Sequence, residues 1–267
     1  KVAEGWKANR EKISTWKGEA RVEHGTHSPG DKKNLNVALV RFAYSRELGA
    51  KRWNWKRQDN PSEKNCMIKD NRFYDYRAQT GSDPEGKWPR HLLISPKDEK
   101  RIHHLSDHFD PFYYLGPRGE SIFKGMNSYR ISFDSPNQTG AVYREDDVVV
   151  LKTDSGWAVQ RYEIDVSKGC NCTLFRIETS DQLEEWKAEY TEIDGVFVPE
   201  YVEYRNVSDT DKGREVYQRT VRFSKQQVNE PLGPEEFTLE SLGVQKGDII
   251  HNRIKGTRRP YPGPDSE

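Results

Sequence analysis

The chain has 267 residues, and its 43 lysine and arginine residues equal its 43 aspartate and glutamate residues, so no general field draws it to nucleic acid or an anionic membrane and only local patches can do so. Hydrophobic residues make up 33% and charged residues 32%, the mean hydropathy is -1.01, and no run of about 18 apolar residues exists, which excludes a membrane-spanning helix. Balanced charge and 11% aromatic residues also exclude a disordered polyelectrolyte and predict a thin, aromatic-rich core.

From 2 to 13 the spacing predicts a short amphipathic helix with Val2, Ala3, Trp6 and Ile13 on one face. The period then changes to two. Trp16, Gly18, Ala20 and Val22 alternate with Lys17, Glu19, Arg21 and Glu23, which predicts a half-buried strand. A second strand places Val40, Phe42 and Tyr44 on one face, and a third carries Arg52-Trp53-Asn54-Trp55. Met67-Ile68 and Phe73-Tyr74-Asp75-Tyr76 flank Asp70-Asn71, residues that tolerate the positive φ of a tight hairpin.

Between about 81 and 119 the prolines predict an irregular insertion whose aromatic cluster, Phe109, Phe112, Tyr113 and Tyr114, forms a lid or a partner loop. A meander follows, with strands expected near 121–133, 141–152, 157–167, 172–179, 185–193, 196–206 and 215–225. Pro234-Glu235-Glu236-Phe237 opens a short helical turn, and a last strand is expected at 248–254. Residues 257–267, rich in proline and glycine, read as a flexible tail, leaving one domain at 1–256.

Chemistry is sparse. His104 and His108 stand four apart and His103 adjoins them, so a helix there presents a weak metal site, but no HExxH pattern or third ligand accompanies them. No nucleophile elbow and no phosphate-binding glycine loop occurs, so no catalytic residue and no cofactor is expected. Arg52-Trp53-Asn54-Trp55-Lys56-Arg57 interleaves cations with rings, yet strand alternation assigns the rings to a core face and the polar groups to solvent, so nucleic acid is not expected as a partner. Cys66 can bridge to Cys170 or Cys172, or all three remain free thiols. The opening Lys1-Val2-Ala3-Glu4, without an initiator methionine, reads as a mature or trimmed chain from which any export signal has gone.

Two blocks carry a family resemblance. The first combines Ile13-Ser14-Thr15-Trp16-Lys17-Gly18, Arg52-Trp53-Asn54-Trp55, Asn60-Pro61 and Ile68-Lys69-Asp70-Asn71-Arg72-Phe73-Tyr74-Asp75-Tyr76. The second combines Asp194-Gly195-Val196-Phe197-Val198-Pro199, Asn229-Glu230-Pro231-Leu232, Glu236-Phe237-Thr238-Leu239 and Gly247-Asp248-Ile249-Ile250. In order and residue type they resemble the periplasmic lipoprotein-carrier (LolA-like) superfamily over about half of the chain.

That resemblance implies a mainly β fold, a single curved antiparallel sheet forming an unclosed half-barrel, covered by a few short α-helices. It also implies a periplasmic or otherwise exported protein whose hollow holds a lipid or a lipoprotein acyl chain. The apolar positions Trp16, Ala20, Val22, Val40, Phe42, Tyr44, Trp53, Trp55, Tyr74 and Tyr76 would line that hollow. Carriers tie down their lid with an arginine before the R-W strand; Arg46 is the nearest counterpart, one residue out of step and followed by Glu47 rather than proline. The leading expectation is therefore a non-enzymatic, exported binding module that holds a lipid, a lipoprotein or another amphipathic ligand in the hollow. A protein-interaction or sensor domain with a filled core is the alternative, and a metal-dependent enzyme the third reading.

Overall fold

Alternation along the chain is realised as strands wherever rings and β-branched residues occupy every second position. The computed structural model describes residues 1–28, 35–58, 63–78, 90–96, 139–210 and 213–264. Its elements are α1 (Val2–Glu11), β1 (Thr15–His27), β2 (Asn36–Ser45), β3 (Ala50–Arg57), β4 (Glu63–Lys69), β5 (Arg72–Ala78), β6 (His91–Pro96), β7 (Thr139–Glu145), β8 (Val148–Asp154), β9 (Ala158–Asp165), β10 (Asn171–Thr179), β11 (Gln182–Ile193), β12 (Val196–Thr210), β13 (Gly213–Val228), β14 (Ile249–Asn252) and β15 (Thr257–Pro260).

The described strands form one fifteen-stranded sheet, ordered β15-β14-β6-β5-β4-β3-β2-β1-β13-β12-β11-β10-β9-β8-β7. Two meanders account for that order: β1 to β6 run outward from the middle, and β7 to β13 run inward from the far edge. Because β15 and β7 end the order without pairing each other, the sheet is unclosed, as the expected fold class requires. Among the described residues the helical content is α1 and two 3₁₀ turns, Pro234–Phe237 and Glu240–Leu242, fewer helices than expected.

Four expectations are corrected. The strand expected at 141–152 is a hairpin, because Asp146 adopts φ 52° and turns β7 into β8. The irregular insertion contains β6, which pairs with β5. Residues 257–260 of the expected tail form β15, an edge strand where Pro260 needs no ladder donor on its outer side. Finally, β14 lies parallel to β6, so the sheet is not wholly antiparallel.

The chain divides into two compact units. One comprises Lys1–Ile13, Arg21–Asn36 and Pro111–Phe223; the other comprises Ser14–Ala20, Val37–Asp110 and Ser224–Glu267. In the first, register aligns Leu151, Tyr162, Phe175, Trp186 and Tyr204 across β8 to β12, and the Tyr162 and Phe175 ring centroids lie 4.8 Å apart. The helix α1 docks here through Asn9: its Nδ2 donates to the Phe197 carbonyl at 2.9 Å and its Oδ1 accepts from the Phe197 N–H at 3.0 Å. These are the groups a neighbouring strand would pair, and pairing with β13 begins only at Tyr201. Ala3, expected on the apolar face, is exposed, while Gly5 abuts the Cys170 side chain.

Candidate functional site

In the second unit the two faces of β2 to β6 have different fates, and register assigns each residue to its face. Residues directly opposite in adjacent strands share a face. On the first face Phe42 lies opposite Trp53, Trp53 opposite Cys66, Cys66 opposite Asp75 and Asp75 opposite Leu93. The flanking row reads Tyr44, Lys51, Ile68, Phe73 and Ser95, and the row on the other side reads Val40, Trp55, Lys64, Arg77 and His91.

Trp16 of β1 joins this face, its ring 5.0 Å from that of Phe42 in an edge-to-face arrangement, and Trp53 lies 6.4 Å from Phe73. Gly18 allows the approach, since a Cβ there would stand 3.0 Å from Phe42 Cζ. Trp16, Phe42, Trp53 and Phe73 are buried, as are Ala20, Val22 and Val40, while Tyr44 and Trp55 are half-buried. The result is an aromatic wall that turns ionic along one margin, where Lys64 and Arg77 stand side by side on β4 and β5.

Beside that margin, in the central row, lies a buried carboxylate. Asp75 is 3% exposed and accepts from Arg77 Nη2 at 2.9 Å, which holds the Arg77 guanidinium above its ordinary pKa through the hydrogen bond and the carboxylate charge. The neighbouring Cys66 thiol is pushed well up, first by burial and then by the Asp75 charge. Fully buried, it packs between Trp53 and Asp75 in the row. Cys66, Cys170 and Cys172 are all free thiols. Among the described residues no cluster of three or more histidine, cysteine or carboxylate groups is placed to hold a metal.

The opposite face is closed by the chain itself. Ala43, Met67, Tyr74, Tyr76, Leu92, Ile94 and Ile250 form an apolar floor on which Phe237, Leu242 and Val244 sit. The polar residues of the same face bind the backbone of this strap. Lys69 Nζ donates to the Phe237 carbonyl at 3.1 Å, Asn54 Nδ2 to the Ser241 carbonyl at 3.3 Å and Asn65 Nδ2 to the Leu242 carbonyl at 2.8 Å. Arg52 pairs with Glu236 at 2.9 Å, which opposes the downward pull of burial on its pKa. Arg90 donates to the Gly243 carbonyl at 3.0 Å and to Tyr76 Oη at 2.6 Å, and Tyr76 donates to Asp248 Oδ2 at 2.9 Å.

Tyr74 and Tyr76 are thus corrected: they belong to the strap side, across the sheet from Trp53. The two-residue Asp70-Asn71 turn sets Met67 opposite Tyr74 and Asn65 opposite Tyr76, so both tyrosines share a face with Arg52 and Asn54. Arg46 is exposed in the turn after β2, its N–H donating to the Ser14 carbonyl at 2.8 Å; Arg52 and Arg90 are the arginines that hold the strap. The lid residues Phe109, Phe112, Tyr113 and Tyr114 and the metal candidates His103, His104 and His108 lie outside the described residues, as does the strand expected at 121–133. Sequence reasoning missed Cys66, Phe73 and Asp75 on the wall and Arg90, Leu242 and Asp248 at the strap. Alternation within β4 and β5 was the available signal for the first three.

No family model and no curated protein matches the chain. Among solved structures it is similar to a DUF1329 family protein from Desulfovibrio piger, at 8% identity, over 90% of this chain and 98% of that chain, with a TM-score of 0.44. It is also similar to an uncharacterized conserved protein from Thermus thermophilus, at 10% identity over 94% and 97% of the two chains, with a TM-score of 0.37. A third similarity is to a chain of the Pseudomonas aeruginosa MucA/MucB complex, at 9% identity over 86% and 100%, with a TM-score of 0.26. These are remote likenesses, from which no ligand or partner is carried over. Among the described residues no helix is long and apolar enough to cross a membrane.

Proposed function

We propose that the chain is a non-enzymatic, exported binding module, a diverged relative of the lipoprotein carriers, that holds the acyl part of a lipid or lipoprotein against its aromatic wall. The observation that carries this reading is the row Phe42-Trp53-Cys66 with Trp16 and Phe73 beside it, a buried apolar layer continuous across β1 to β5. The strap packs on the other face, whereas the wall's rings are buried as a separate aromatic layer, into which an acyl chain would have to insert. An amphipathic ligand would lay its chain along the rings and its anionic head toward Lys64 and Arg77, where the wall becomes cationic.

Titration with a fluorescent fatty acid tests the reading. Saturable binding that a Lys64→Glu variant weakens is expected; no saturable binding by the folded wild type would refute it. The alternative reading, an interaction domain with a filled core, draws support from β7, an exposed strand at one end of the order whose Val142 is 62% exposed. It predicts no acyl binding and capture of a protein along that edge.

A further inference from the structure

The strap leads into a hairpin whose charge departs from that of the rest of the chain. Against an overall balance of 43 and 43, residues 249–264 contain four lysine and arginine residues and no aspartate or glutamate. β14 and β15 form this hairpin through the pairs Ile249–Pro260, Ile250–Arg259, His251–Arg258 and Asn252–Thr257. Its turn is Arg253-Ile254-Lys255-Gly256, closed by the Lys255 N–H donating to Asn252 Oδ1 at 3.0 Å, with Gly256 at φ 63°.

Every residue from Arg253 to Pro260 is exposed, and β15 is the edge of the sheet. Ile254, at the tip, is 47% exposed, so a large aliphatic side chain projects between two cations, with Arg258 and Arg259 behind it. Among the described acids, Asp248 is buried and accepts from Tyr76 and from the Gln245 N–H, and Glu240 accepts from Tyr261.

We infer that this hairpin is a docking site for an anionic phospholipid surface, with Ile254 entering the headgroup boundary and Arg253, Lys255, Arg258 and Arg259 contacting lipid phosphates. An apolar tip set in a cationic collar suits an interface that offers apolar depth and negative charge together. A nucleic acid offers the charge alone and would engage stacked rings, yet the segment's one residue among phenylalanine, tyrosine and tryptophan, Tyr261, is buried. The inference stands independently of what the aromatic wall holds.

Flotation of the full chain with vesicles tests it, comparing phosphatidylcholine alone with phosphatidylcholine containing phosphatidylglycerol. Binding to the anionic vesicles only is expected, with the partition lowered at least ~10-fold by Arg258→Glu with Arg259→Glu and lowered separately by Ile254→Ser. These positions are exposed, and circular dichroism of each variant verifies the fold. Equal partition to both vesicle types, or unchanged partition of the double variant, overturns the proposal. Binding to heparin or single-stranded DNA with no vesicle binding also overturns it, by identifying a general polyanion surface.

Discussion

Tyr76 donates its phenolic hydrogen to Asp248 at 2.9 Å, joining the floor of the strap-covered face to the turn that precedes β14. Asp248 also accepts from the Gln245 N–H at 2.7 Å, and its carbonyl accepts from the Tyr261 N–H at 2.7 Å, so one residue gathers sheet, strap and terminal segment. Burial of the phenol, together with the adjacent carboxylate, raises its pKa from 10.0 to about 12 against the opposing pull of Arg90.

The pH consequence has a definite sign. An acid whose folded pKa exceeds its unfolded value keeps its proton longer when folded, so its contribution is complete below about pH 10 and is lost as pH rises toward about 12. Tyr76→Phe should remove this component of alkaline unfolding between those limits and cost about 1 kcal/mol at neutral pH through the lost hydrogen bond. Urea denaturation at several pH values measures both effects.

Leu242 is fully buried between the floor and the strap backbone. Leu242→Ala should destabilise by ~2–5 kcal/mol, the range for deleting a buried aliphatic side chain that leaves a cavity. Calorimetric unfolding of the variant measures the cost. A loss below about 1 kcal/mol would mean that the strap contributes little beyond its hydrogen bonds.

Asn9 supplies both partners for the backbone of Phe197. Asn9→Ala leaves an N–H and a C=O without them and should cost about 1–3 kcal/mol, accompanied by faster hydrogen exchange at Phe197 and faster proteolysis within α1. Asn9→Asp should be poorer than wild type as well, because a carboxylate cannot donate to the Phe197 carbonyl.

Cys66 and Cys172 are buried, with thiols held protonated mainly by desolvation. Neither should react with a thiol reagent at pH 8 until the chain unfolds, whereas half-buried Cys170 should be modified first. Mass mapping of alkylated peptides against time distinguishes the three.

Local pattern gave most strands, because alternation and two-residue turns are encoded within a few positions. Asp70 and Asn71 adopt φ 50° and 58°, as their sequence predicts. What a single strand cannot specify is which of its two faces meets which face of its neighbour. Trp53 and Tyr74 both look like core residues, and both are buried, but the register between them separates them across the sheet. Asn9 was hidden for a related reason: a polar residue gains a place on a docking face only when a distant backbone, here Phe197, offers complementary groups. The pairing of β14 with β6 joins positions more than 150 residues apart and leaves no local signal.

Brominated acyl chains provide the most direct test of the aromatic wall, since bromine quenches an indole on contact. If a fatty acid lies along Trp16 and Trp53, a brominated fatty acid should quench the chain's tryptophan fluorescence saturably. The non-brominated analogue should not quench, and Trp53→Phe should reduce the quenched fraction while leaving the fold unchanged. Absence of saturable quenching in the wild type, or quenching that Trp16→Phe and Trp53→Phe both leave undiminished, would contradict the assignment of this wall as an acyl-binding surface.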